Sequence, residues 1–79
     1  MILLDVGSGN FVNAERIIAV VSPDSLPVRR LVQDAKNAGR AIDVTTGKKT
    51  KSVIVTDSDH VICSALEASE LNAKLNSND

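Results

Sequence analysis

The sequence predicts an α+β fold: a small, mainly antiparallel, twisted sheet with one packed helix and a short C-terminal helix. Short apolar runs rich in β-branched residues, separated by turn residues, indicate the strands. Apolar residues at helical spacing after residue 25, and again near the C-terminus, indicate the two helices. A chain of 79 residues has the length of one domain. We therefore assign residues 1–79 to a single domain and expect residues 76–79 to be a frayed tail.

The residues before the main helix predict strands and turns. Residues 2–6 indicate a strand, residues 7–10 a turn whose glycines permit positive φ, and residues 11–12 a second extended segment. Residues 17–21 are five apolar residues in a row, a run too short for a core helix. They predict a strand that is buried on both faces of a sheet.

Pro27 and Gly39 delimit the main helix. Pro27 has no N–H group, so it must lie in the first helical turn, where that donor would have no partner. The N-cap is therefore expected at Asp24 or Ser25, and Gly39 is expected just after the last turn. The apolar face predicted between these ends consists of Val28, Leu31, Val32 and Ala35.

The residues after the helix predict three more strands and a short helix. Residues 40–45 and 52–56 indicate strands, and residues 57–59 a tight turn. Residues 60–64 are expected to pair back on the preceding strand as a hairpin. Residues 67–75 predict a short amphipathic helix.

Self-association is predicted from the strand pattern and from the lack of a disulfide or metal site that would stabilise so small a domain. The strands carry apolar side chains toward both faces of the sheet, and two helices cannot cover both faces. Cys63 is the single cysteine, so no intramolecular disulfide can form, and one histidine leaves few metal ligands. A second copy of the chain is therefore expected to cover the remaining apolar surface.

The same residues indicate a cytoplasmic protein. Cys63 lies in an apolar run that is typical of a buried, reduced thiol. The N-terminus has neither a basic region nor the apolar run of a signal peptide, and no segment reaches the length of a membrane span. We therefore expect a cytoplasmic location and no membrane contact.

The segment Gly47-Lys48-Lys49-Thr50-Lys51 places three lysines in five residues. The whole chain has 9 basic and 10 acidic residues and a net charge of -1, so the cluster does not follow from a basic composition. Three ammonium groups this close repel one another, which favours a polyanion as their partner. The alternative is a solvated lysine turn that keeps a hairpin soluble and protects a sheet edge.

Enzymatic functions are not supported by the residue patterns. The segment around Gly47 lacks the earlier glycine and the Ser or Thr after lysine that a phosphate-binding P-loop requires. Asp57, Asp59 and His60 could bind a hard metal ion, but Asp and Ser residues between strands are more often turn residues. His60, Cys63 and Ser64 lie on one segment, where a nucleophile and its base cannot converge from separate elements. We therefore expect no enzyme activity, no metal and no cofactor.

The scarcity of aromatic residues narrows the choice of polyanion. Aromatic residues make up 1% of the chain, whereas proteins that bind single-stranded nucleic acids stack bases on aromatic rings. Contact between basic side chains and the phosphate backbone of double-stranded DNA remains the favoured interpretation.

Three sequence elements together resemble the RemA family of small bacterial regulators that activate biofilm-matrix genes. They are the helix start SP-D-S-x-P, the segment D-x-T-x-G-(K/R)-(K/R)-T-(K/R) and the hairpin V-x-D-S-D-H, and the resemblance covers residues 6–66. The resemblance implies a DNA-binding transcription regulator without a helix-turn-helix, with a domain similar to the LytTR type. It also implies a homo-oligomeric ring that can wrap DNA.

The residues that match the basic positions of the family are the implied DNA contacts: Arg16, Lys48, Lys49 and Lys51. This chain has lysines where family members often carry arginines. Lysine binds phosphate as a point charge, whereas arginine can also bind guanine through two hydrogen bonds or insert into a narrow minor groove. We therefore expect the contact with the DNA backbone to survive the exchange.

Arg29 and Arg30 are possible secondary contacts with DNA or with a neighbouring subunit. Because they are adjacent on the predicted helix, they cannot share a face, and a solvated helix surface is the alternative. Two other functions stay open at this point. One is an RNA-binding assembly factor, and the other is a structural oligomer that binds a small anionic ligand at the lysine segment.

Overall fold

A computed structural model describes residues 1–76 and shows the α+β class that the sequence predicts. The elements in chain order are β1 (Leu3–Gly7), β2 (Asn10–Asn13), β3 (Ile17–Val21), α1 (Leu26–Asn37), β4 (Ala41–Asp43), β5 (Ser52–Thr56), β6 (Val61–Ser64) and α2 (Ala68–Asn76). A short 3₁₀ helix (Ala14–Arg16) joins β2 to β3.

The strands form a two-stranded hairpin and a four-stranded sheet. β1 pairs antiparallel with β2, and the larger sheet has the order β3-β5-β6-β4. β5 pairs antiparallel with β3 and with β6, which confirms the mainly antiparallel prediction and the predicted β5–β6 hairpin. β4 pairs parallel with β6, because α1 carries the chain across the sheet from one edge to the other.

Helix α1 covers one face of the four-stranded sheet. Val28, Val32 and Ala35 of α1 pack with Val53 of β5 and Val61 of β6. These three helix positions were predicted as part of the apolar face, and the packing confirms them. The fourth predicted position, Leu31, is 40% exposed and lies outside this cluster.

The opposite face of the sheet is covered by the β1–β2 hairpin and α2. Ile54 and Ile62 of the sheet form a buried cluster with Leu4 and Val6 of β1 and Leu71 of α2. This face of the central strands is therefore covered by the chain itself, and self-association stays a prediction. The sequence pattern predicts β1 as a strand, but it does not show that the hairpin stacks on the sheet.

Strand β3 was predicted to be buried on both faces, and this prediction is wrong. β3 is an edge strand, and each of its residues is partly or largely exposed. Ile17 and Val20 pack against the cluster beneath the hairpin, whereas the side chain of Ile18 is 67% exposed. A run of apolar residues indicates a strand but does not tell whether that strand is central or at an edge.

Both ends of α1 form as the sequence predicts. The Oγ atom of Ser25 accepts a hydrogen bond of 3.3 Å from the N–H of Val28, which is N-cap geometry. Pro27 lies in the first turn, and Gly39 follows the C-cap Ala38 with φ of +74°. Helix ends are local features, so residue type alone predicts them well.

Helix α2 lies one residue later than predicted. It includes Asn76, which the sequence placed in the frayed tail, and the Nδ2 atom of Asn76 donates to the backbone oxygen of Asn72 over 2.9 Å. Residues 77–79 of the predicted tail lie outside the described residues.

In the described part of the chain, neither helix has the length and apolar character needed to cross a membrane.

Candidate polyanion-binding surface

The segment of residues 44–51, here named the lysine loop, connects β4 to β5. The alternative interpretation of the sequence makes this segment the end of a hairpin, which is wrong because β6 lies between β4 and β5. The loop instead crosses the end of β6 and is tied to it at both ends. Val44 N donates to Cys63 O over 3.0 Å, and Lys51 N donates to Ser64 O over 2.8 Å. The sheet therefore holds both ends of the lysine loop in place.

Asp43, the last residue of β4, orders the first part of the lysine loop. Its Oδ1 atom accepts hydrogen bonds from Thr45 N over 2.8 Å and from Thr45 Oγ1 over 2.6 Å. Both bonds stabilise the carboxylate and therefore hold the pKa of Asp43 below its ordinary value. The bond from the Thr45 hydroxyl has the larger effect, and the bond from the N–H group has the smaller one. Asp43 is therefore ionised at neutral pH and fixes Thr45.

A tight turn then directs the lysines toward solvent. Lys48 N donates to Thr45 O over 3.1 Å, and Thr46 and Gly47 have φ of +54° and +86°. A glycine adopts this backbone conformation without strain, which explains the residue type at position 47. Lys48, Lys49 and Lys51 are all exposed.

The positive charge of the lysine loop is mostly not neutralised within the described chain. Among residues 1–76, Lys48 and Lys49 form no ion pair with a carboxylate. The Nζ atom of Lys51 lies 3.8 Å from Oε1 of Glu67, and about half of each side chain is exposed. An exposed pair at this distance contributes little, so all three ammonium groups are available to an anion.

Arg16 lies at the other end of the sheet. Its Nε atom donates to Oδ1 of Asp57 over 2.7 Å, and this hydrogen bond, with the charge of Asp57, raises the pKa of Arg16. Asp57 follows β5, whereas Lys51 precedes it. Six residue steps of extended chain separate these positions, which is about 20 Å. The structure therefore does not bring Arg16 together with the lysine loop in one protomer.

The turn that holds Asp57 is stabilised by its own side chains. Ser58 Oγ lies 2.9 Å from Thr56 Oγ1 and 2.8 Å from Nδ1 of His60, and Asp59 has φ of +66°. Across the residues described, no group of three or more histidine, cysteine, aspartate and glutamate side chains is arranged to bind a metal ion. The acidic residues here serve the turn and the contact with Arg16.

Helix α1 brings Arg29, but not Arg30, to the side of the sheet that carries the lysine loop. Arg29 and Lys36 line a groove of about 230 Å³ that Thr50 of the lysine loop also lines. Arg30 does not line this groove, which agrees with the prediction that the two arginines face different directions. Sequence reasoning did not select Lys36, although it follows Arg29 by seven positions, which is a spacing of two helical turns.

A family model identifies the chain. The model for RemA-like proteins, described as extracellular matrix regulatory protein A-like, matches residues 3–75. This protein belongs to the RemA-like family. The match confirms the family resemblance that the three sequence elements predict.

Relatives of this RemA-like protein align along nearly its whole length. One from Thermoanaerobacter sp. (strain X514) is 49% identical over 96% of this chain and 79% of the relative. One from Nitratidesulfovibrio vulgaris (strain DP4) is 49% identical over 98% of this chain and 90% of the relative. One from Oleidesulfovibrio alaskensis is 53% identical over 91% of this chain and 86% of the relative. Each is named "putative regulatory protein", so the family and its members indicate a regulatory role rather than an enzymatic one.

The RemA-like protein thus presents two separate basic sites. The first is the lysine loop with Lys48, Lys49 and Lys51, and the second is Arg16 beside Asp57. Both sites are exposed and both lie next to an end of β5, at opposite ends of the strand. A partner that touches both must extend along the sheet or contact more than one protomer.

Proposed function

We propose that this RemA-like protein is a non-enzymatic, homo-oligomeric transcription regulator that binds double-stranded DNA and wraps it around a ring. Lys48, Lys49 and Lys51 contact the phosphates, and Arg16 adds a further contact. The observation that carries the proposal is the lysine loop itself. Its cationic side chains are exposed and are held by an ordered backbone in a protein whose net charge is -1. A DNA target also implies a cytoplasmic location.

The chemistry of the lysine loop favours the DNA backbone over bases. A lysine ammonium group binds phosphate as a point charge and has no preferred planar geometry. The chain has one aromatic residue, Phe11, so it offers no series of rings for stacking unpaired bases. Binding through phosphates alone is strong only at low salt and depends weakly on base sequence.

The distance between Arg16 and the lysine loop favours an oligomer. One protomer docks three lysines on DNA, which neutralises about three phosphates and leaves Arg16 about 20 Å away. Several protomers in a ring repeat both sites along the DNA, and the high effective concentration adds their contacts together.

Exposed apolar side chains supply the surface for such an assembly. The large ones are Met1, Ile2, Leu3, Phe11, Ile18, Leu26, Leu31 and Ile42. Several of them lie on β1, on β2 or on the two edge strands β3 and β4. In a chain this small, burial of these side chains against another copy contributes to stability as well as to assembly.

Fluorescence anisotropy with a labelled 30-base-pair duplex tests the proposal. Three lysines on phosphates predict a slope of about -2.7 for log affinity against log salt per engaged protomer. Changing both Lys48 and Lys49 to Gln should reduce the slope by about 1.8 per engaged protomer, by the same relation. The loss should be the same on unrelated DNA sequences, because phosphate contacts carry no base information.

A matched control distinguishes weaker binding caused by loss of the lysine loop from weaker binding caused by a lower net charge. Lys74→Gln removes one positive charge from α2, as Lys48→Gln does from the lysine loop, and only the loop variant should weaken binding measurably. Single-stranded DNA and duplex RNA of the same sequence complete the comparison. Tighter binding to RNA would favour an RNA-binding assembly factor. An unchanged affinity and salt slope in the double variant would show that the lysine loop is only a solvated surface.

A further inference from the structure

A groove beneath α1, here named the α1 groove, has the features of a small-molecule site. It has a volume of about 230 Å³. Its lining includes the buried Val53 and Cys63 of the sheet and the partly exposed Val28 and Val32 of α1, and the exposed Arg29 and Lys36 form its rim. The groove is separate from the phosphate-binding ammonium groups of the lysine loop, so its ligand does not depend on whether the protein binds DNA.

The charges around the α1 groove favour an anion with a single negative charge. Among residues 1–76, neither Arg29 nor Lys36 forms an ion pair. Asp43 also lines the groove, but its Oδ1 atom already accepts two hydrogen bonds from Thr45. Lys36 is close enough to contribute to the lowered pKa of Asp43. Two positive charges against one negative charge leave the groove with an excess of one positive charge.

The valines of α1 that line the groove favour an apolar body on that anion. The side chains of Val53 and Cys63 are 0% and 5% exposed, so they belong to the core, and the apolar surface open to a ligand is that of the partly exposed Val28 and Val32. Burial raises the pKa of the Cys63 thiol, which therefore stays neutral and does not repel an acid. The volume lies below that of sites for drug-sized ligands and has room for a molecule on the order of ten non-hydrogen atoms.

We propose that the α1 groove binds a small organic monocarboxylate with a short apolar body. The carboxylate lies between the guanidinium of Arg29 and the ammonium of Lys36. The apolar body lies against the partly exposed side chains of Val28 and Val32, where water has few partners and is easily displaced. Arginine and carboxylate form paired, charge-assisted hydrogen bonds, which gives the rim its preference for this group.

Isovalerate and its uncharged analogue isovaleramide test the proposal, because they have the same shape and differ in charge. Binding to the full chain is followed by NMR through the methyl signals of Val28, Val32 and Val53. Isovalerate should shift these signals with a dissociation constant on the order of 1 mM, which is within the affinity that a ligand of about seven non-hydrogen atoms can reach. Isovaleramide should bind at least tenfold more weakly.

Variants of the rim locate the site. Changing both Arg29 and Lys36 to Gln should weaken isovalerate binding at least tenfold without changing the fold, because both side chains are exposed. Arg30→Gln removes a neighbouring charge that does not line the groove, and it should leave binding unchanged.

Three results would overturn the proposal. The first is equal binding of acid and amide, which would show that the rim charges do not act on the ligand. The second is an equal loss of affinity in the Arg30 variant, which would indicate general surface charge. The third is an absence of methyl shifts together with a changed sedimentation coefficient of the rim variant, which would show that another copy of the chain occupies the groove.

Discussion

Cys63 shows how one residue serves the core without taking part in chemistry. It lies on β6, is 5% exposed and is the single cysteine of the chain. Loss of hydration on burial is the main cause that raises the pKa of its thiol, and the charge of Asp43 adds to it. A reactive cysteine has the opposite setting, exposed and electropositive, so Cys63 behaves as a small apolar residue.

The raised pKa of the Cys63 thiol predicts a loss of stability in alkaline solution. The unfolded chain releases the thiol proton near pH 8.5, whereas the folded chain still holds it above that pH. The folded state then binds more protons than the unfolded state, so the free energy of unfolding must fall as pH rises above about 8.5. The slope from this one group is at most about 1.4 kcal/mol per pH unit.

Urea unfolding at pH 7.5 and pH 9.5 measures the effect, with Cys63→Ala as the reference for all other groups. The native protein should lose more stability between these two pH values than the alanine variant does. Equal losses in the two proteins would mean that the thiol titrates normally and is not buried.

The candidate site depends on the lysine loop. Hydrogen bonds to Asp43 and to β6, rather than buried apolar side chains of the loop, hold it in place. Asp43 ends β4 and fixes Thr45, and the two ends of the loop bond to the backbone of β6. The loop can therefore carry three repelling ammonium groups without losing its backbone conformation. Order in the free loop also lowers the entropy cost of binding a polyanion.

Asp43→Ala is predicted to loosen the lysine loop while leaving the core folded. Loss of the hydrogen bonds to Thr45 should cost about 1 kcal/mol locally, which corresponds to roughly fivefold faster hydrogen exchange at the Thr45 and Lys48 amides. Because the folded pKa of Asp43 is lowered, the stabilisation is present above about pH 3.9 and disappears as pH falls through the lower folded value.

Hydrogen exchange measured by NMR checks this, with Asp34→Ala as the control. Asp34 lies on the exposed surface of α1, so its removal changes net charge equally and should not affect the loop. Unchanged exchange in the Asp43 variant would mean that the bonds to β6 hold the lysine loop alone.

At the scale of the whole molecule, one chain covers both faces of its sheet but leaves both edges open. α1 packs on one face, and the β1–β2 hairpin with α2 packs on the other. The edge strands β3 and β4 expose Ile18 and Ile42, which are 67% and 44% exposed. Open edges and exposed apolar side chains are where a second copy of the chain has most to gain.

Ile18→Asp is predicted to dissociate the proposed oligomer without unfolding the protomer. Ile18 points away from the core, so a carboxylate there is solvated in the monomer but buried in an interface, where it is costly. Val20 is a poorer choice, because it packs against the buried cluster and its replacement by Asp should also destabilise the fold.

Sedimentation velocity at micromolar concentration, with circular dichroism for folding, provides the measurement. Ala73→Asp on the exposed surface of α2 is the control and should sediment like the native protein. A monomeric native protein would contradict the ring, and an Ile18 variant of unchanged mass would place the interface away from β3.

One part of the candidate site follows from residues that are adjacent in the sequence, and the other part depends on contacts between distant segments of the chain. Adjacent lysines lie together in any fold, so the cluster of Lys48, Lys49 and Lys51 was found from the sequence alone. The position of Arg16 relative to them depends on which end of β5 each adjoins, and this follows from strand order. Arg29 and Lys36 share one side of α1 because of their helical spacing, whereas the groove that this side borders depends on how α1 packs on the sheet.

The sequence by itself determined the α+β class, the strands β5 and β6 and both ends of α1. These depend on residue type and short spacing: the missing N–H of Pro27, the cap of Ser25 and the positive φ of Gly39. Only the tertiary structure decided that β4 runs parallel to β6, that β3 is an edge strand and that the N-terminal hairpin covers the sheet. The physical reason is that strand neighbours and stacked layers join residues far apart in the chain. Their choice depends on the burial of the whole core, which no short run of residues encodes.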